Sequence, residues 1–400
     1  MDFSIRNPQS AIRNSSQGAC WPTPQQELLV KAVLWQGRDA VVAWEAWHDG
    51  LDLDHLDAGS YQLLPLLYRN LRAQDIDHPL MQRFKGIYRH TWYKNQLLFH
   101  RLAGLLRAFH AAEIETMVLK GAALILLYYR DYGLRPMEDF DVLVPTAQAS
   151  AAVTVLGALR WTPIRAFPAT LTEAYQSAIH AHGFRDPGGY ECDLHWHALL
   201  DCCQPHADDD FWSGAISTRL DDVPVSVLNP ADQLLHVCVH GARWSGTPPL
   251  RWIVDAMVIV NDSPGLDWNR LVAQAQQHRL SLPIRDMLSY LHERLDAPIP
   301  PSVLHALRQA PVSNAEQMEY QAKTGPEDLR KPMSMLRLRY QQYVESIGRD
   351  GFYNKLIGFP QFLQHLWGVD HLWQVPWTAV MKGIQRVRRI WENRTVGSGR

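Results

Sequence analysis

A chain of 400 residues, 46% of them hydrophobic, has ample apolar material for a core and the length at which chains divide into two or three lobes. Its formal charge of -2 leaves no global basic field, so composition gives no support to nucleic acid as an obligatory partner, although a local basic face stays open. Five cysteines without CxxC spacing argue against a disulfide framework and a thiolate zinc site, and fit a reducing cytoplasm.

Residues 1–22 carry Arg6 and Arg13 among Asn, Ser, Gln and Pro, lack the apolar stretch of a secretory signal, and read as a flexible tail. Apolar positions at helical spacing over 23–112, such as Leu63, Leu64, Leu66, Leu67 and Leu71, predict an N-terminal helical lobe. Its last part, Pro79 to Ala112, lacks an internal proline and has an apolar face of Leu98, Leu102, Leu105, Leu106 and Phe109, as one long helix would.

After Ala112 the pattern changes to a small α/β centre over 113–228. Thr116 to Leu119 predicts a short strand, Ala122 to Tyr129 a buried helix, Phe140 to Val144 a strand stopped by Pro145, and Thr146 to Leu159 another helix. Ile179 to Arg185 and Tyr190 to His197 flank Asp186-Pro187-Gly188-Gly189, a turn suited to a hairpin, and Val223 to Val227 is a last strand candidate. From 229 to 400 the periodicity is helical again: Asp232 to Trp244, Arg251 to Val260, Trp268 to His278 and Ile284 to Leu295. The fold expected is α+β, a small mixed sheet flanked by N- and C-terminal helical lobes.

Near the C-terminus, Trp377, Val380, Met381, Ile384, Val387 and Trp391 recur at helical spacing beside Lys382, Arg386, Arg388 and Arg389. Such a basic amphipathic helix is expected to dock on its own chain, with peripheral contact to a membrane or an acidic partner as the alternative. No run of residues approaches the roughly 18 apolar positions of a membrane span, so none is expected.

The chemistry concentrates in three places. Asp139-Phe140-Asp141 begins a strand, where alternation sends both carboxylates to one face; two such charges persist together most easily around a divalent cation, and oxygen ligands favour Mg²⁺ or Mn²⁺. Leu119-Lys120-Gly121-Ala122 sets a glycine between strand and helix, where backbone N–H groups and the Lys120 cation can meet phosphate. Glu191 to His197 alternates Glu191, Asp193, His195 and His197 against Cys192, Leu194 and Trp196, so that Asp193 can complete a carboxylate triad; His195 with His197 is alternatively a transition-metal pair.

The stretch VLKGAALILLYYRDYGLRPMEDFDVLV (118–144), together with ECDLHWH (191–197), resembles the poorly characterised bacterial nucleotidyltransferase-family proteins of the nucleotidyltransferase superfamily. The resemblance implies a glycine turn for nucleotide phosphate at Lys120, Gly121 and Ala122, metal binding by Asp139, Asp141 and Asp193, and transfer of a nucleoside monophosphate from a nucleoside triphosphate to an unidentified acceptor. Two departures accompany it: Ala122 stands where the superfamily usually has Ser or Gly, and the interval from Gly121 to Asp139 is longer than in minimal members. Arg135 is a further candidate for binding nucleotide phosphate, with pairing to Glu138 or Asp139 as its structural alternative. His195 is expected to orient Asp193, while His236, His240, Arg251 and Asp255, each pair one helical turn apart, resemble the family's downstream pattern and serve either packing or closure of a substrate cleft. A catalytically degenerate binding protein of the same fold and a helical adaptor are the competing readings.

Overall fold

The computed structural model describes residues 20–49, 51–200, 202–243, 245, 248–325, 332–347 and 352–384. The fold is mixed α+β: seven strands are β1 (Met117–Leu119), β2 (Asp139–Leu143), β3 (Thr162–Pro163), β4 (Ala181–Arg185), β5 (Glu191–His195), β6 (Ile216–Leu220) and β7 (Val223–Val227), in the order β3-β4-β5-β2-β1-β7-β6. Nearly all of the expected tail, 1–22, lies outside the described residues.

The elements follow from local chemistry. Helix Leu80–Ala111 runs unbroken for 32 residues through the stretch without proline. The β4–β5 hairpin is antiparallel in the register Ala181↔His195, Gly183↔Asp193 and Arg185↔Glu191, and Asp186 closes it by accepting the N–H groups of Gly188 and Tyr190. Strand β6 is absent from the periodicity because four of its five residues are partly or fully exposed; it pairs with β7 through a two-residue turn in which Asp221 adopts the left-handed region at φ 52°. The helix expected over Ala122 to Tyr129 is a short α-turn, Lys120–Leu124, that widens into a π-turn, Ile125–Tyr129.

The chain divides into two compact units. One draws on Met1–Gly104, Val118–Phe140 and Gly214–Thr324, with Leu29, Trp47, Leu67 and Phe84 in its core. The other draws on Leu105–Met117, Asp141–Ser213 and Gly325–Arg400. Within this second unit Phe184 and Trp196 are fully buried, and Ala178, Tyr343, Phe362, Leu363 and Val375 form a cluster of their own.

The C-terminal amphipathic stripe is not docked as expected. In the helix at 374–384, Val375 is the buried residue, whereas Trp377, Val380 and Ile384 are exposed and Met381 is half-buried. Docking uses the face opposite to the apolar stripe. Arg386, Val387, Arg388, Arg389 and Trp391 lie outside the described residues.

Candidate functional site

Strands β2 and β5 lie side by side and gather Asp141, Asp193 and His195, whose ligand atoms all fall within 4.8 Å of one another. Alternation explains the pairing: Cys192 and Leu194 fill the core from one face of β5, which leaves Asp193 and His195 on the other. Asp141 and His195 are buried and Asp193 is half-buried. Gly183 stands opposite Asp193 in the ladder, and a Cβ there would come within 3.1 Å of the Asp193 Oδ1. The glycine therefore leaves space beside the carboxylate, a role that sequence reading missed although a glycine inside a strand was visible.

His195 makes its bond to Asp141, with Nε2 3.0 Å from Oδ1, rather than serving Asp193 alone as expected. Its Nδ1 lies 3.3 Å from the His197 carbonyl oxygen, which can only accept. Once Nδ1–H is donated there, a neutral imidazole turns its Nε2 lone pair toward a carboxylate. That juxtaposition is relieved by a proton or a cation between them, so two carboxylates and one imidazole fit a divalent metal ion. His197 does not join His195 in an imidazole pair: its Nδ1 meets Asp208 Oδ2 at 2.6 Å, and Asp208 also accepts the Ala198 N–H at 2.8 Å. This pair fixes the loop that leaves β5. Asp139 is half-buried at the start of β2, two residues before Asp141.

A second arrangement belongs to the unit that contains the Lys120 turn. Lys120, not Gly121, adopts the left-handed backbone, at φ 45°. Gly121 is required for another reason: a Cβ on it would lie 2.5 Å from Arg135 Nη1 and 3.0 Å from Met137 Cγ. Ala122 is fully buried, so the position that lacks the superfamily's serine faces the core.

Arg135 pairs with neither Glu138 nor Asp139 in the way expected. Its buried guanidinium binds Asp255 through two bonds, Nε to Oδ1 at 2.9 Å and Nη2 to Oδ2 at 2.8 Å, while Glu138 pairs with Lys94. Tyr129 donates its hydroxyl to Asp255 Oδ1 at 2.7 Å, and burial together with the Asp255 charge pushes the tyrosine well above its ordinary pKa. Asn95 donates to the Tyr132 and Arg135 carbonyls at 2.7 and 2.8 Å, anchoring the loop between the π-turn and β2 to the long helix.

Arg251, buried one helical turn before Asp255, donates to the Pro136 carbonyl at 2.9 Å. Burial and the neighbouring Arg135 charge push its pKa down to about 10, while the charges of Asp255 and Asp139 oppose that shift. Lys120, Arg135, His236, His240, Arg251 and Asp255 all line one cavity of about 290 Å³. Three permanent cations thus face one carboxylate there. Trp252, also in the wall, holds its buried indole Nε1–H without a partner.

A family model described as uncharacterised nucleotidyltransferase matches residues 58–296, a segment that contains every residue of both arrangements. No curated protein matches the chain. Among solved structures, an antigenic nucleotidyltransferase-like protein from Paracoccidioides brasiliensis is 17% identical with a TM-score of 0.34, over 55% of this chain and 94% of that one.

Proposed function

The chain belongs to this family of uncharacterised nucleotidyltransferases, and from that premise we propose that it moves a nucleoside monophosphate from a nucleoside triphosphate to a hydroxyl or phosphate of an acceptor, releasing pyrophosphate. The observation that carries the proposal is the convergence of Asp141, Asp193 and His195 within 4.8 Å. Asp141 and Asp193 would hold Mg²⁺ or Mn²⁺ with His195 beside them, and Asp139 adds a further carboxylate on the same strand. The imidazole makes Mn²⁺ the better match of the two. A divalent cation bound there supplies neutralisation of the attacking and leaving oxygens.

The chain's own groups account for the rest. The acceptor oxygen forms a bond to the α-phosphorus as the bond from that phosphorus to pyrophosphate breaks, and the acceptor proton passes to the half-buried Asp193 carboxylate. Lys120, Arg135 and Arg251 offset the triphosphate charge; Asp255 balances only one of these three cations, so an anion relieves the excess buried in the cavity wall. The Trp252 Nε1–H is one more donor for an acceptor-rich ligand. His236 and His240, with rings 6.3 Å apart, complete the polar wall.

Calorimetric titration of each of the four nucleoside triphosphates, with and without Mg²⁺ or Mn²⁺, tests the proposal. Metal-dependent binding is expected in the wild type and should be lost when Asp139→Asn and Asp141→Asn are combined. Failure of folded wild-type protein to bind any nucleotide under these conditions would sink it. The burial of Ala122 favours one second reading, a nucleotide-binding protein without turnover; binding without metal-dependent pyrophosphate release across acceptors would select it.

A further inference from the structure

The described C-terminal residues carry an apolar stripe that nothing in the family-matched segment accounts for. Trp373, Trp377, Val380 and Ile384 follow one another at intervals of four, three and four residues, the repeat of a single helical face, and are 71%, 63%, 54% and 56% exposed. Leu372 beside them is 51% exposed. Single exposed apolar residues are ordinary, but a stripe containing two tryptophans is the signature of a contact surface. The helix is held from its other side, where Val375 packs with Tyr343, Phe362 and Leu363, so the stripe is left outward while the helix is fixed in place.

Charge identifies the occupant. From Lys382 to Arg400 the sequence has six basic residues, Lys382, Arg386, Arg388, Arg389, Arg394 and Arg400, against one acidic residue, Glu392. In a chain whose net charge is -2, this is a local cationic concentration placed directly after the stripe. Two copies meeting stripe to stripe would bring these like charges together, whereas an anionic surface would attract them. Tryptophan prefers the boundary between lipid headgroup and acyl chain, and an apolar face joined to a polybasic segment gives the two signals that stable peripheral attachment needs. No described helix is long and apolar enough to cross a membrane, so the contact is with the surface. We propose that the 373–384 stripe and the basic segment following it bind an anionic lipid bilayer surface peripherally.

Sedimentation of the full-length protein with vesicles containing phosphatidylglycerol, against vesicles of phosphatidylcholine alone, tests the assignment. Wild type should partition to the anionic vesicles, and raised salt should weaken that partitioning. Replacing both Trp373 and Trp377 by Gln should lower it about tenfold or more, with the thermal midpoint unchanged because both side chains are exposed. A second variant, Lys382→Gln with Arg386→Gln, Arg388→Gln and Arg389→Gln, should abolish the preference for anionic lipid and supplies an independent reading if the tryptophan variant misfolds. Absence of wild-type binding, or binding indifferent to both variants, overturns the proposal. Concentration-dependent dimerisation lost in the tryptophan variant, without vesicle binding, overturns it in favour of a second copy.

Discussion

Gly121 does not need a left-handed backbone; it needs to be without a side chain. The guanidinium of Arg135 and the thioether of Met137 occupy the space that a Cβ would enter, so Gly121→Ala must displace a group already fixed by Asp255. Overpacking of this kind costs about 1–3 kcal/mol, read as a lower midpoint in denaturant, and nucleotide binding should weaken with it. Asp255 presents the reverse problem. It accepts from Arg135 and Tyr129, and its charge also acts on Arg251, so Asp255→Asn leaves two buried guanidinium groups with less compensation. The expected loss is about 3–5 kcal/mol in chemical denaturation, the usual consequence of breaking a buried pair from one side. A loss below about 1 kcal/mol, the range of exposed pairs, would mean that solvent reaches the pair.

The elements around the site were legible in the sequence where periodicity carried them. The strand at Asp139–Leu143, the hairpin turning at Asp186 and the long helix Leu80–Ala111 all correspond to signals in residue spacing. Partners distant in sequence were not legible: nothing local links Arg135 to Asp255, 120 positions away, or His197 to Asp208 in a loop without periodicity. The role of Gly183 depends on a cross-strand register, and that of Gly121 on a side chain fourteen residues later. Strand β4 also carries a pH effect that spacing cannot reveal. His182 lies among Phe167, Tyr175 and Phe184, with Nδ1 3.0 Å from the Tyr175 hydroxyl, and burial lowers its pKa in the folded state. The unfolded chain, with histidine near about 6.5, then binds the proton more readily, so stability rises with pH in this window. It is lost as pH falls through about 6.5 toward the lower folded value. Burial lowers His365, whose ring lies 5.4 Å from that of Tyr175, in the same direction. The thermal midpoint should therefore drop between about pH 7.5 and pH 5, and less steeply for His182→Phe. An identical slope in that variant would remove His182 from the account.

On the scale of the whole molecule, the unit that holds the Lys120 turn is assembled from three separated stretches of chain. Its first helix, Pro24–Leu34, is tied to helix Ser281–Leu295 by Arg294, which reaches Glu27 across 267 positions with N–O distances of 2.8 and 3.0 Å. The Arg135–Asp255 pair joins its middle stretch to its last. A boundary near 228/229, where strand periodicity gives way to helical periodicity, would thus cut between partners. A fragment of residues 1–228 loses Asp255, Arg251 and Arg294 together and leaves Arg135 buried without its carboxylate, a cost that helix propensity in the remaining segments cannot offset. Thermal unfolding of that fragment, followed by circular dichroism, should show no cooperative transition, and coexpression with residues 229–400 should restore one at the midpoint of the intact chain. A fragment that unfolds cooperatively alone and still binds nucleotide would place the stabilising contacts elsewhere. It would also leave the cations of the Lys120 cavity without the binding role assigned to them.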